Sequence, residues 1–177
     1  MKSLFTLFCI SIFTLNFSQA PEEETNKLGD NPIFLIDSVK VNNSAIQNYD
    51  PKEIASLSIY RDGEAISLRP EDGKDGVVYI ETKKFSKKRF QNYFKTKSSE
   101  YKKIITQESD DNELQYILNG KILIENFEGD LASINDKVFK SLKVIHKNEL
   151  QKKFKIEDKE YGIVIVADES KKSEPAR

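Results

Sequence analysis

Between Lys83 and Lys103 the chain reads KKFSKKRFQNYFKTKSSEYKK, nine basic residues and one acid interleaved with five aromatics. Cations alternating with rings can hold an anionic strand or surface, the cations pairing with phosphates and the rings stacking. On that reading Lys87, Lys88, Arg89, Phe90 and Tyr93 are the candidate binding residues. At helical spacing, however, Phe90, Tyr93, Phe94, Tyr101, Ile104 and Ile105 fall on one stripe, with the lysines mostly elsewhere. That pattern predicts an amphipathic linker helix within 85–112, docking its aromatic side on a sheet and leaving its charges in water. The docking helix is the leading reading. A surface for lipid headgroups or an acidic protein is the alternative.

Other residues offer less. His146 is the one histidine of the chain, so a His-based triad or a multi-histidine metal site is not expected. It falls at the end of an expected strand, as a solvated residue. Glu108, Asp110, Asp111 and Glu113 cluster without the spacing and turn glycine of an EF-hand loop, and read as a solvated linker. Asp72-Gly73-Lys74-Asp75-Gly76 reads as a turn, since a phosphate loop needs Gly-x-x-x-x-Gly-Lys-Ser/Thr. No serine or threonine has an evident base partner. No catalytic residue, metal or cofactor is therefore assigned. A hydrolase working through paired carboxylates is the rival from another class, because acids are abundant.

The first twenty residues, MKSLFTLFCISIFTLNFSQA, carry Lys2, an apolar run from Leu4 to about Phe17 and small residues at the end. That is the layout of a secretory signal peptide, expected to be cut after Ala20 or after Ser18. The run is too short and too polar for a comfortable membrane span, and Cys9 lacks the context of a lipoprotein anchor. Cys9 is also the one cysteine, so no disulfide is expected after export. Charge nearly balances, with a formal net of −1, and no global field favours nucleic acid. The expected organisation places a disordered leader over 21–31 and a charged, disordered tail over 169–177.

Between them the chain repeats itself. IASLSIYRDGE, from Ile54 to Glu64, aligns without a gap on FKSLKVIHKNE, from Phe139 to Glu149. Upstream, FLIDSVKV matches YILNGKIL; downstream, Gly76 with VVYI matches Gly162 with IVIV. Asn119-Gly120 between apolar runs predicts a type I′ hairpin, and Asp37-Ser38 holds the same place less comfortably. Asp50-Pro51-Lys52-Glu53 predicts a capped helix through about Ser56, with Asn135 or Asp136 capping its counterpart. The closing runs, Val77 to Ile80 and Ile163 to Val166, read as interior strands, each entered through a glycine turn.

IDSVKV, DPKEIASLSIYRD and GKDGVVYIETKK together resemble the plug domain of TonB-dependent outer-membrane receptors, in the form common among Bacteroidota. Asp37, Pro51, Ile54, Ile59, Asp62, Gly76, Val77, Val78, Ile80, Thr82 and Lys83 fall on that family's pattern. The likeness covers about Pro32 to Lys84 and extends more weakly over Glu113 to Ala167. Ser38 departs from the usual hairpin glycine, and the usual Tyr-Gly before the last strand is absent. A receptor barrel of about 22 strands would need over two hundred residues in strands alone. The resemblance thus implies a free-standing, duplicated plug-like module, and carries over no binding residue.

The expected fold is α+β: two related plug-like subdomains, 32–84 and 113–168, each a small mixed sheet with a short helix, joined by the amphipathic helix. The expected role is non-enzymatic: an exported interaction module contacting a protein partner in the periplasm or at the outer membrane. Nucleic acid is an unexpected partner in that compartment, and no transmembrane span should remain once the signal is removed. Cell fractionation should recover the mature protein with the periplasmic contents. Recovery in washed membranes with acyl chains visible by mass spectrometry would overturn this.

Overall fold

The computed structural model describes residues 28–105 and 112–168. The expected signal peptide, most of the leader, Glu108, Asp110, Asp111 and the tail lie outside the described residues. None of the described helices is long and apolar enough to cross a membrane.

The fold is α+β, with two four-stranded mixed sheets. In the first half β1 (Ile33–Ile36), β2 (Val39–Val41), β3 (Ile54–Tyr60) and β4 (Val77–Thr82) assemble in the order β2-β1-β4-β3. In the second, β5 (Leu114–Leu118), β6 (Lys121–Ile122), β7 (Phe139–His146) and β8 (Tyr161–Ala167) repeat it as β6-β5-β8-β7. Short helices α1 (Asn43–Ile46) and α5 (Glu128–Ala132) follow the hairpins, and α2 (Asp62–Leu68) and α6 (Lys147–Phe154) follow the third strands. Between the halves run α3 (Lys83–Lys97) and α4 (Ser99–Ile104). The last strand of each half is central, parallel to the first and antiparallel to the third. This interior place explains its apolar residues on both faces.

The two halves match in their irregularities as well as their strand order. Both third strands shift register at the same place, between Ile54 and Ser56 and between Phe139 and Ser141. Asp50 and Asn135 each accept a hydrogen bond from the backbone two residues on, Lys52 N and Lys137 N, both at 2.9 Å. Asp37 N donates to Ile80 O at 3.0 Å, and Asn119 N to Ile165 O at 2.9 Å. Similar apolar patterning alone does not reproduce bulges and side-chain latches, so duplication accounts for the match.

The hairpin turns are as the residues predict. Asn119 and Gly120 have φ of 50° and 82°, and Asp37 and Ser38 take 51° and 72°. Without a glycine the first turn is strained, and side-chain bonds hold it. The Asp37 carboxylate accepts from Thr82 N at 2.7 Å and Thr82 Oγ1 at 2.8 Å, while Ser38 Oγ and Tyr79 OH share a hydrogen bond of 2.6 Å.

Three expectations need correction. The helix from Asp50 through Ser56 is a single 3-10 turn, Pro51–Glu53, after which the β-branched Ile54 already starts β3. At the matching place Asn135 caps a turn over 136–138, with no helix. The helices of each half sit elsewhere, in α1, α2, α5 and α6.

The glycine match is off by one residue. Leu57 pairs with Ile80 and Leu142 with Ile165, which sets Gly162 against Val77 rather than Gly76. Gly76 does sit in a turn, at φ 97°, just before β4. Gly162 lies inside β8, opposite Gln115 and Ile145. A Cβ there would meet Ile145 Cγ1 at 2.7 Å and Leu150 Cδ1 at 2.8 Å. The first half has the opposite arrangement, a large Val77 facing a small Ala65 at the place of Leu150. The halves have exchanged volume between strand and helix.

That exchange is testable by urea denaturation. Gly162→Val alone should overpack this layer and destabilise by roughly 1–3 kcal/mol. Combined with Leu150→Ala, the loss should fall short of the two single losses added together by at least about 1 kcal/mol. Simple additivity would overturn the exchange.

Candidate interaction surface

The basic-aromatic tract begins where β4 ends. Thr82 caps α3, its Oγ1 accepting from Phe85 N at 3.2 Å. Ser98 N bonds Phe94 O to close α3, and Ser98 Oγ accepts from Tyr101 N to open α4. The linker is thus two helices broken at Ser98, beginning two residues before the expected start and ending at Ile104.

Its aromatic side lies against the second sheet. Phe90, 1% exposed, meets the Tyr116 ring edge-on at 5.4 Å, and Phe94 meets Tyr101 likewise at 6.0 Å. Tyr101 OH and Tyr116 OH share a buried hydrogen bond of 2.9 Å. Together with Leu114, Leu131, Val144, Ile163 and Ile165 these rings form the largest core of the molecule.

Phe90, Arg89 and Tyr93 of the candidate binding residues are engaged inside the protein. Phe90 is core and cannot present a ring to an anionic partner. Arg89 binds the Glu81 carboxylate and donates to Ala132 O at 2.5 Å, linking the two halves. Glu81 is itself 4% exposed and also accepts from Ser86 Oγ at 3.0 Å. Tyr93 packs edge-on against Phe139 at 5.8 Å and donates to Asp136 Oδ1 at 2.9 Å. Lys97 reaches the same oxygen at 2.5 Å and lies 4.9 Å over the Tyr93 ring. Lys97, then Tyr93, hold the Asp136 carboxyl below the usual carboxylate range. Burial, then the hydrogen bond to Asp136, push the Tyr93 phenol up. Lys87 is half-buried and Lys88 exposed. His146 is exposed, 3.8 Å from Glu100 and beside the Tyr161 ring.

A different surface emerges from comparing the sheets. Register places Val39, Ile36, Ile80 and Leu57 in one row across the first sheet, and Val41, Phe34, Val78 and Ile59 in the next. The same rows in the second sheet are Lys121, Leu118, Ile165 and Leu142, then Leu123, Tyr116, Ile163 and Val144. In the second sheet the inner residues of both rows belong to the large core under α3, α4 and α5. In the first sheet, among the described residues, Ile46 of α1, Leu28 and Ile54 pack against the rows and keep Ile36, Val78 and Ile80 buried. Val39 is left 64% exposed and Leu57 57% exposed, at opposite ends of one row. Alternation in SLSIY and IDSVKV marks these residues as one apolar face, but it cannot tell whether a helix covers that face.

Two substitutions test the internal role of the tract. Phe90→Ala should cost about 3–5 kcal/mol, the range for a buried ring. Arg89→Ala should cost on the order of 3 kcal/mol, because it strands the buried Glu81 carboxylate. A loss below about 0.5 kcal/mol for either, in chemical denaturation, would return that residue to the surface. In comparisons with known proteins, no family model, curated protein or solved structure matches the chain.

Proposed function

We propose that the protein is a non-enzymatic, exported interaction module of the cell envelope, plug-like in build, which grips a protein partner through the apolar face of its first sheet. The signal-like segment 1–20 supports the compartment, and the resemblance over about Pro32 to Lys84 supports a periplasmic or outer-membrane setting. The observation that carries the reading is the exposure of Leu57, whose counterpart Leu142 in the second sheet packs against the large core. Val39 is exposed at the opposite rim of the same face, with Ile36 and Ile80 buried between the two, and exposed apolar residues at the rims of a sheet face are where a partner could make contact. The tract of Lys87, Lys88, Arg89, Phe90 and Tyr93 contributes less to this role, because its rings and Arg89 hold the halves together.

A photo-crosslinking amino acid at position 57 tests this in cells. It should give a discrete adduct to one envelope protein. The same group at Val166, an exposed apolar site on the other sheet, should not. Leu57→Glu should remove the partner on co-purification while changing stability by no more than about 0.5 kcal/mol. Equal labelling from both positions would overturn the proposal.

A further inference from the structure

The two hairpin turns are latched by different chemistry. Each turn residue bonds the end of its central strand, at Thr82 in the first half and at the matching Ala167 in the second. Asp37 meets two donors there, Thr82 N and Thr82 Oγ1, and a carboxylate accepts from both. Asn119 meets one donor and one acceptor. Ala167 N donates to its Oδ1 at 3.0 Å, and its Nδ2 donates to Ala167 O at 2.9 Å. An amide satisfies that pair, whereas a carboxylate has no hydrogen to give the carbonyl. One residue further on, Asp168 N bonds Val138 O at 2.8 Å, so the latch lies where β8 is tied off.

Asn119 is also followed by glycine, in the one Asn-Gly pair of the chain. Glycine carries no side chain to shield its backbone nitrogen from the asparagine before it. Both residues are exposed, and a Cβ on Gly120 would have nothing within 4 Å beyond its chain neighbours. Gly120 N can therefore attack Asn119 Cγ. A bond forms between those atoms, the Cγ–Nδ2 bond breaks, and ammonia leaves with the proton of Gly120 N. Water then opens the cyclic imide to aspartate or to isoaspartate. Ring closure requires the amide to let go of Ala167 and the residue to leave its turn conformation at φ 50°, so the latch opposes it.

We infer that Asn119 is a site of self-modification by deamidation, held back by its latch to Ala167, and that conversion releases the end of β8 for good. Aspartate at 119 sets a carboxylate oxygen against Ala167 O, where Nδ2 now donates. No hydroxyl stands there to turn toward it, as that of Thr82 does toward Asp37. Isoaspartate adds a main-chain carbon to a two-residue turn, and the pairing of Ile117 with Ile122 and of Leu118 with Lys121 loses its register. The inference is independent of any partner at the first sheet.

The exported protein, folded or unfolded in urea, is incubated at mildly alkaline pH, and deamidation at 119 is followed by peptide mass spectrometry. The folded protein should convert at least tenfold more slowly, because reaction then waits on local opening. A folded rate within twofold of the unfolded one overturns the inference. Ala167→Pro, which removes the N–H given to Oδ1, should raise the folded rate at least threefold while amides of β5 and β8 stay protected from hydrogen exchange. An unchanged rate in that variant means that the turn alone protects, and overturns the role of the latch. The converted fraction of the natural chain, separated by anion exchange, is read independently of that variant. Its Ala167 amide should exchange at least tenfold faster than in the intact protein, and Asn119→Asp should reproduce the change. Unaltered protection at Ala167 in the converted chain overturns the release of β8.

Discussion

The ring cluster of Phe90, Phe94, Tyr101 and Tyr116 is the contact on which the architecture depends. These rings leave the first half on α3 and are buried in the second, so the largest core of the molecule is built from both. Each sheet, with its own small helix, buries only a thin layer: Leu35, Tyr60, Ala65 and Val77 under α2, and Ile117, Ile145 and Leu150 under α6. A sheet needs something broad on its second face before it is stable alone. The linker supplies that cover once.

Polar contacts around the rings fix how the halves meet. Arg89 spans from Glu81 on β4 to Ala132 on α5, and Tyr93 and Lys97 converge on Asp136. Breaking a buried ion pair costs more than forming it gains, so the Arg89 contact acts mainly against wrong arrangements. Close approach adds to the same end: a Cβ on Gly129 would meet Ala55 O at 2.6 Å, so α5 lies directly on β3. Arg89, which looks in the sequence like part of a patch for an outside anion, is turned inward.

What the residues disclose follows from the range of the interactions involved. Turn chemistry is local, so Asn119-Gly120 and Asp37-Ser38 are legible as hairpins even where the second lacks a glycine. The 3.6-residue period of Phe90, Phe94 and Tyr101 is local too, and it identifies a docking side. It does not say which sheet receives it. Helix α2 is hidden because Ala65 is the one residue it buries, too little to set a period, and its first residue, Asp62, has a positive φ. Gly162 misleads for a different reason. A glycine before an apolar run usually marks a turn, and only the packing of Leu150 and Ile145 shows that here it makes room. The exposure of Leu57 is invisible for a related reason, since it depends on a helix that the first half does not receive.

The break at Ser98 and the end of α4 place the crossing between halves after the aromatic rings, between Ile105 and Leu114. The unit that was copied and the unit that coheres therefore have different borders. A chain nicked in that interval would yield one fragment bearing the rings and another bearing the sheet that buries them. Such fragments would stand as donor and acceptor of one core, the relation that the pieces of a split protein have.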